Sequence, residues 1–214
     1  MARLIVNADD LGYTEGVTDG IVEAHARGIV TSTSLMVEGE DAVRAGALTR
    51  SAPALSVGLH AVLDSGGELT VAPESSECEL ERQLGRFLEL VGHAPTHVDS
   101  HHHVHRDSRL ESAFARFAAR HELPLRDHSL PHCGLFYGGA SGETRPGRVD
   151  VEALLTILAG LESDVELGCH PGHSRDLDSS YTVERDEELR TLTDPRVRTA
   201  IDELGIELIG WRDL

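Results

Sequence analysis

Positive charge is scarce in this sequence, and its scarcity argues against several kinds of partner. Arginine and lysine together number 19, against 37 aspartates and glutamates in 214 residues, which gives a formal net charge of −18. Such an acidic surface repels phosphate backbones and anionic lipid headgroups, so we expect neither nucleic acid nor a membrane surface as a partner. The acidic residues are spread along the chain, as they are on solvated helix faces.

Cysteines and long apolar runs are also scarce. The three cysteines, Cys78, Cys133 and Cys169, are odd in number and contain no Cys-x-x-Cys pair, which argues against a disulfide framework and a structural zinc site. No apolar run reaches the roughly 20 residues of a membrane span. The first apolar run stops at Asp9 and Asp10, unlike a signal peptide. These features favour a soluble protein of the reducing cytoplasm.

Histidine, in contrast, is abundant and clustered. Five of the 13 histidines lie, together with Asp99, between His97 and His105. If this segment is a β-strand, His97, Asp99 and His101 point to one face. Neutral imidazole near a carboxylate is a common donor set for a divalent metal. The alternative is a solvated histidine-rich loop.

Short apolar runs alternate with amphipathic segments along the whole chain. Seven runs predict strands near 4–6, 29–37, 55–60, 97–105, 123–127, 165–170 and 206–210, and the glycine-rich stretch 128–148 predicts an irregular loop. No repeat or linker divides the chain, so we predict one domain over residues 1–214. Strands that alternate with helices favour parallel pairing, here an α/β fold with a single (β/α) barrel. The predicted helix caps are Thr14 or Thr18, Ser76 with Glu79, Ser108 with Glu111, Asp150, and Asp194 before Pro195.

Unusual polar residues occur where the predicted strands end. In a (β/α) barrel these ends line one mouth, where active sites are found, so residues distant in sequence are expected to converge there. They are Asp9 and Asp10, His60, Asp99 and His101, Arg126 and Asp127, and His170.

Three of these residues predict an open metal site. Asp10, His60 and His101 supply one carboxylate and two imidazoles, which leaves coordination positions for water and substrate. A metal held in this way acidifies bound water and polarises a carbonyl group. Hydrolysis also needs a base and an acid, and we assign Asp9 and His170 to these roles.

Each assignment has a structural alternative. Paired aspartates after a strand often cap a helix or form a turn, and a lone histidine such as His60 is often a hydrogen-bonded core residue. Arg126 either pairs with a surface acid or holds Asp9 ionised and oriented. Four histidines have no assigned role: His102, His103, His105 and His173.

Several motifs, taken in order, resemble those of the YdjC-like carbohydrate deacetylases. The family includes enzymes that remove acetyl groups from N-acetylated chitobiose-type sugars. Leu11 stands where the family pattern has phenylalanine. The matching motifs are Val6–Gly12, Gly28–Ser34, Gly58–His60, Pro95–His105 and Glu166–Pro171.

The resemblance implies an irregular barrel of the polysaccharide-deacetylase type, hydrolysis of an N-acetyl amide on a small carbohydrate, and a homodimer. It places the metal on Asp10, His60 and His101, the base at Asp9, and a late-motif histidine at His170. The metal of the family is usually given as magnesium. Ligand chemistry instead favours zinc or manganese, because magnesium prefers oxygen donors.

Two other functions remain open at this point. A metal-dependent phosphoesterase can share such a barrel, although it usually needs more cationic groups than Arg126. A non-catalytic sugar-binding or metal-binding protein is the second alternative, and the presence of both Asp9 and His170 argues against it.

Overall fold

Strands and helices alternate in the structure, a computed structural model that describes residues 2–140, 143–144 and 147–214. The strands are β1 (Arg3–Leu11), β2 (Ser32–Leu35), β3 (Ser56–Ala61), β4 (Asp64–Ser65), β5 (Glu68–Leu69), β6 (Val98–Ser100), β7 (His132–Cys133), β8 (Gly139–Ala140), β9 (Glu143–Thr144), β10 (Val165–Cys169) and β11 (Glu207–Leu208). The helices are α1 (Glu15–Arg27), α2 (Ala42–Thr49), α3 (Ser76–Val91), α4 (Glu111–Arg120), α5 (Val151–Ala159), α6 (Val183–Leu192) and α7 (Pro195–Leu204).

Seven strands form one parallel sheet, as predicted. Its order is β6-β3-β2-β1-β10-β7, and β11 pairs with the start of β1. The sheet curls into a half-barrel with helices packed outside it. The pairs β4–β5 and β8–β9 are short antiparallel hairpins outside this sheet. None of the helices in the described ranges is long and apolar enough to cross a bilayer.

One of the seven predicted strands, residues 123–127, is not a strand of the sheet. Residues 123–127 make only a single bridge, between Leu125 and Val98, because the chain turns away at Asp127, whose φ is +65°. The sheet instead uses β7, which lies in the stretch predicted to be an irregular loop. Residues 141, 142, 145 and 146 of that stretch lie outside the described residues.

The histidine-rich segment is a strand only at its start. β6 ends at Ser100, and His101–Arg106 form 3-10 turns in which His102 and His103 take left-handed φ values of +49° and +54°. The prediction of a strand through His105 is therefore wrong, and His101 begins a turn over the barrel mouth.

Three of the predicted helix caps are present and two are not. Thr14, Asp150 and Asp194 accept hydrogen bonds from the first turns of α1, α5 and α7. Ser76 already lies inside α3, because a 3-10 turn at Pro73–Ser75 precedes it, and its hydroxyl donates to the Pro73 carbonyl. At α4 the backbone carbonyl of Asp107, rather than the Ser108 side chain, accepts the first amides.

The interior of the half-barrel changes from apolar to charged towards the mouth. Ile5, Leu130, Ile209 and Trp211 form a small buried cluster of their own. The ring of His97 stacks on Trp211 at 5.0 Å and fills the space beside Gly58, where a Cβ atom would lie 2.3 Å from the ring. Above this apolar floor the strands present carboxylates and imidazoles.

Candidate active site

The end of β1 presents two adjacent carboxylates to the same cavity. Side chains of a regular strand alternate between faces, but the φ of Asp10 is +71°, and the pairing of β1 with β2 shifts between Ala8 and Leu11. This local irregularity lets Asp9 and Asp10 both border the cavity. Aspartate is one of the few residues that tolerate such a backbone.

Asp9 is held by Arg126 through two hydrogen bonds. Nη1 donates to Oδ2 and Nη2 to Oδ1, each at 2.7 Å, and the Asn7 amide donates to Oδ1 at 2.8 Å. Burial alone would raise the pKa of Asp9, but the charge and hydrogen bonds of Arg126 outweigh it and lower that pKa well below its usual range. Asp9 is therefore ionised at neutral pH.

More negative charge surrounds Arg126 than its single positive charge can neutralise. Asp99 and Glu166 also lie within 3.0 Å of its guanidinium, and all four side chains are buried. Three carboxylates around one cation favour retention of a proton, and burial raises the pKa of Glu166 to about 7. Arg126 itself is fully buried and lies beneath the cavity, so it acts by positioning Asp9.

His60 is oriented by a carboxylate and a hydroxyl behind it. Its Nδ1 lies 2.8 Å from Asp99 Oδ1 and 3.1 Å from Ser34 Oγ, so its Nε2 points to Asp10 Oδ1, 3.2 Å away. Burial lowers the pKa of His60, but the carboxylates around it raise the pKa to about 10. A carboxylate behind a histidine ring is typical of metal-ligating histidines.

His101 lies next to His60 at the same mouth. The two ring centroids are 5.8 Å apart, and the ring of His101 is partly exposed. Asp10 Oδ1 and His101 Nδ1 are buried atoms that have no hydrogen-bond partner. An unpartnered carboxylate oxygen beside an oriented imidazole suits a divalent cation, so Asp10 and His60 fit part of the predicted metal site. His101 Nδ1 faces Asp64 Oδ1 at 3.6 Å, and the ligand atoms that lie within 4.8 Å of one another belong to Asp9, His60 and Asp99 in one group and to Asp64, His101 and His102 in another. The full set of Asp10, His60 and His101 stays a prediction.

His170 also lines the cavity. Its Nε2 lies 4.0 Å from Asp9 Oδ2, and its ring is flanked by Tyr137 and Tyr181. Its backbone amide donates to the buried carboxyl group of Glu188, which also accepts the Tyr181 hydroxyl at 2.5 Å. Burial lowers the pKa of His170 to about 4, so the resting imidazole is neutral at pH 7.

The cavity has a volume of about 750 Å³. This is within the usual range for small-molecule sites. Five of the six predicted site residues line it: Asp9, Asp10, His60, His101 and His170.

Sequence reasoning missed three buried polar residues of the site. Arg185 on α6 donates to Asp10 Oδ2 at 2.6 Å, so only Oδ1 of that carboxylate faces His60. Asp64 faces His101 from the β4–β5 hairpin, and Glu188 lies behind His170. The acidic pattern of α6 is typical of a solvated helix face, and no sequence spacing distinguishes Arg185 and Glu188 from their exposed neighbours.

The four unassigned histidines fall into different surroundings. His105 is buried, and its Nδ1 lies 2.7 Å from Ser100 Oγ. The ring of His103 packs against the ring of His132. His102 contacts Asp64 at 2.6 Å. His173 lies 3.4 Å from Glu23 and does not line the cavity.

The family model described as "YdjC-like protein" matches residues 3–203. The chain belongs to the YdjC-like family. Its relatives include a chitooligosaccharide deacetylase of Serratia marcescens, 35% identical over an alignment that covers 99% of this chain and 98% of the relative. A carbohydrate deacetylase of Geobacillus stearothermophilus is also 35% identical, with coverage of 98% and 96%.

Solved structures share the fold of this YdjC-like chain. A proposed cellobiose-phosphate cleavage protein of Enterococcus faecalis superposes with a TM-score of 0.85 at 29% identity, covering 99% of this chain and 98% of that chain. A family 4 carbohydrate esterase of Streptomyces lividans gives a TM-score of 0.62 at 12% identity, with coverage of 97% and 91%. This second likeness shows the fold alone, and it agrees with the predicted polysaccharide-deacetylase type of barrel.

Proposed function

We propose that this YdjC-like protein is a metal-dependent hydrolase that removes the N-acetyl group from an acetylated amino sugar or a short chitooligosaccharide. The observation that carries the proposal is the arrangement at the end of β1. There Asp9, fixed by Arg126, lies beside Asp10, and Asp10 faces His60 at 3.2 Å. The deacetylase relatives described above cover the whole chain and support the same reaction.

Asp10, His60 and His101 are the residues that would hold the divalent cation. When bound, the cation would polarise the acetyl carbonyl and make a bound water more acidic. Asp99 fixes the ring of His60 so that Nε2 faces the cation position, and Arg185 fixes the carboxylate of Asp10. The donor set of one carboxylate and two imidazoles suits zinc or manganese, whereas the family resemblance suggests magnesium.

Asp9 is the proposed base. Its carboxylate is ionised and held in one orientation. Arg126 donates to both of its oxygens, and the side-chain amide of Asn7 donates to Oδ1 as well. It accepts the proton of the attacking water, and His170 lies 4.0 Å away to receive it. His170, neutral at rest and protonated by this transfer, then donates that proton to the nitrogen of the departing amine as the C–N bond breaks, so protons balance over one turnover.

The cavity wall supports a sugar as the substrate. Tyr137 stacks on Tyr181 at 4.7 Å and is 40% exposed, next to the proposed acid His170. The partly exposed ring of Tyr137 can pack against the apolar face of a pyranose ring, whereas the Tyr181 hydroxyl is already bonded to Glu188.

A phosphoesterase is less well supported. Among the described residues that line the cavity, the arginines are Arg106 and Arg185, and each is already paired with an aspartate. A transferring phosphoryl group needs more cationic donors than these pairs leave available.

We also propose a cellular compartment and an oligomeric state for the protein. The three cysteines are all unpaired, which supports a reducing compartment such as the cytoplasm. A homodimer follows from the family resemblance, and light scattering on the purified protein tests it.

The test is a product assay on the purified, metal-loaded protein. Acetate and free amine are measured after incubation with N-acetylated chitobiose and chitotriose, and phosphate after incubation with sugar phosphates. We expect acetate and amine in equal amounts and no phosphate. Phosphate release would support the phosphoesterase, and sugar binding without turnover at any metal would support a binding protein.

A further inference from the structure

The rim of the cavity carries a second group of metal-binding side chains, which the proposed reaction does not use. Asp64, His101 and His102 each offer one ligand atom, and these atoms lie within 4.8 Å of one another. Asp64 Oδ2 lies 2.6 Å from His102 Nδ1, and Asp64 Oδ1 lies 3.6 Å from His101 Nδ1.

Two atoms of this group are left without partners although they are buried. Asp64 Oδ1 and His101 Nδ1 make no hydrogen bond, and their separation of 3.6 Å is too long for one. A buried carboxylate oxygen without a donor costs free energy unless an ion or a water satisfies it. The two atoms face each other, so one ion could satisfy both.

The backbone of this rim holds Asp64 and His102 in defined positions. Asp64 begins the β4–β5 hairpin, whose turn residues Gly66 and Gly67 have φ values of +60° and +87°, and the Gly67 amide donates to Asp64 Oδ2 at 2.9 Å. His102 is held at a φ of +49°. Left-handed backbone at a non-glycine residue costs free energy and often occurs at binding sites.

We propose that Asp64, His101 and His102 form a second divalent-cation site, adjacent to the site proposed for Asp10, His60 and His101. One carboxylate and two imidazoles suit a transition-metal ion such as zinc or manganese. The ion replaces the proton between Asp64 and His102. The ring of His101 is shared, with Nδ1 on this ion and Nε2 left for the other site. Because two cations held this close together repel each other, the second site binds more weakly and fills after the first. This inference goes beyond the deacetylase function.

The experiment counts bound ions. The metal-stripped full chain is dialysed against increasing Zn²⁺, and zinc per chain is measured by elemental analysis. We expect two ions on the wild type, filled in sequence, and one on His102→Ala and on Asp64→Asn, the second of which preserves side-chain shape. His60→Ala should lose the tighter ion, and the control His121→Ala, whose ring contacts the surface carboxylate of Glu81 at 2.9 Å, should keep both.

A wild type that saturates at one ion would overturn the second site and would assign Asp64 to the orientation of His101 alone. Two ions retained on both His102→Ala and Asp64→Asn would also overturn it. Acetate release by the protein with one ion keeps the deacetylase function in either case, whereas two bound ions without acetate release would contradict that function and leave the second site standing.

Discussion

Arg126 holds Asp9 through two parallel hydrogen bonds of 2.7 Å, although the two residues are 117 positions apart in sequence. Both side chains are buried. Paired bonds of this kind fix direction as well as charge. The reactivity proposed for Asp9 therefore depends on a residue that does not itself reach the cavity.

Removal of the Arg126 charge should destabilise the fold. Arg126→Met leaves Asp9, Asp99 and Glu166 buried without their cation, and loss of one partner of a buried ion pair costs about 3–5 kcal/mol. We expect a decrease of that size in the free energy of unfolding, measured by urea denaturation. A loss below about 1 kcal/mol, the range for exposed pairs, would contradict the burial of this cluster.

Arg126→Lys should retain the charge and lose the paired geometry. We expect a folded protein with a lower kcat, and an acidic limb of the pH–rate profile that moves to higher pH, because the pKa of Asp9 rises when one hydrogen bond is lost. The control is Arg120→Lys, which alters an exposed pair with Glu77 and should leave the profile unchanged. An unshifted acidic limb for Arg126→Lys would exclude Asp9 as the titrating base.

Replacement of His170 should separate proton transfer from cation binding. His170→Asn is expected to lower kcat by about 10²–10⁴-fold, the usual contribution of a positioned acid. Zinc affinity, measured by calorimetry, should stay near that of the wild type, because His170 is not one of the proposed ligands. A variant with wild-type kcat would remove His170 from the mechanism.

His60→Ala should abolish both cation binding at the site proposed for Asp10, His60 and His101 and acetate release. His60 supplies an oriented nitrogen to the proposed site, and no neighbouring group can replace Nε2 opposite Asp10. The matched control is His173→Ala, since His173 also contacts a carboxylate but lies outside the cavity lining. Retention of full activity by His60→Ala would disprove the proposed metal site.

The buried Glu188 should make the protein less stable as pH rises from about 4.5 to about 8. Burial raises its pKa from 4.5 to about 8. Between these values the folded state keeps a proton that the unfolded state has lost, so the free energy of unfolding falls with increasing pH and levels off above about pH 8.

The comparison is with Glu188→Gln, which cannot ionise and can still accept the Tyr181 hydroxyl. Urea denaturation at several pH values should give a flatter dependence for this variant than for the wild type. Glu203→Gln, at an exposed position of α7, should keep the wild-type dependence. Identical slopes for the wild type and Glu188→Gln would show that Glu188 is ionised throughout.

Local sequence patterns predicted the parallel sheet and most of its strands, because buried strands leave short apolar runs and helices leave periodic ones. They failed at β7, a two-residue strand whose position is set by pairing with β10 rather than by its own composition. They also failed at His101–Arg106, where the left-handed residues are histidines rather than glycines.

The sequence predicted those residues of the candidate site that lie at the ends of strands. Asp9, Asp10, His60 and His170 follow or end apolar runs, so topology alone brings them to one mouth. Arg185 and Glu188 were not predictable, because they lie inside a helix with an ordinary charged pattern and become part of the site only through tertiary packing. Asp64 was also not predictable, because residues 64–75 are rich in glycine, serine and proline, a composition typical of a loop.

The most direct test of the account is the position of the cation itself. Crystals of the protein grown with Mn²⁺ or Zn²⁺ would give an anomalous-scattering map of the cavity. The account predicts a strong peak within coordination distance, about 2.0–2.2 Å for zinc, of Asp10, His60 and His101. Active crystals in which those three side chains share no peak would contradict it.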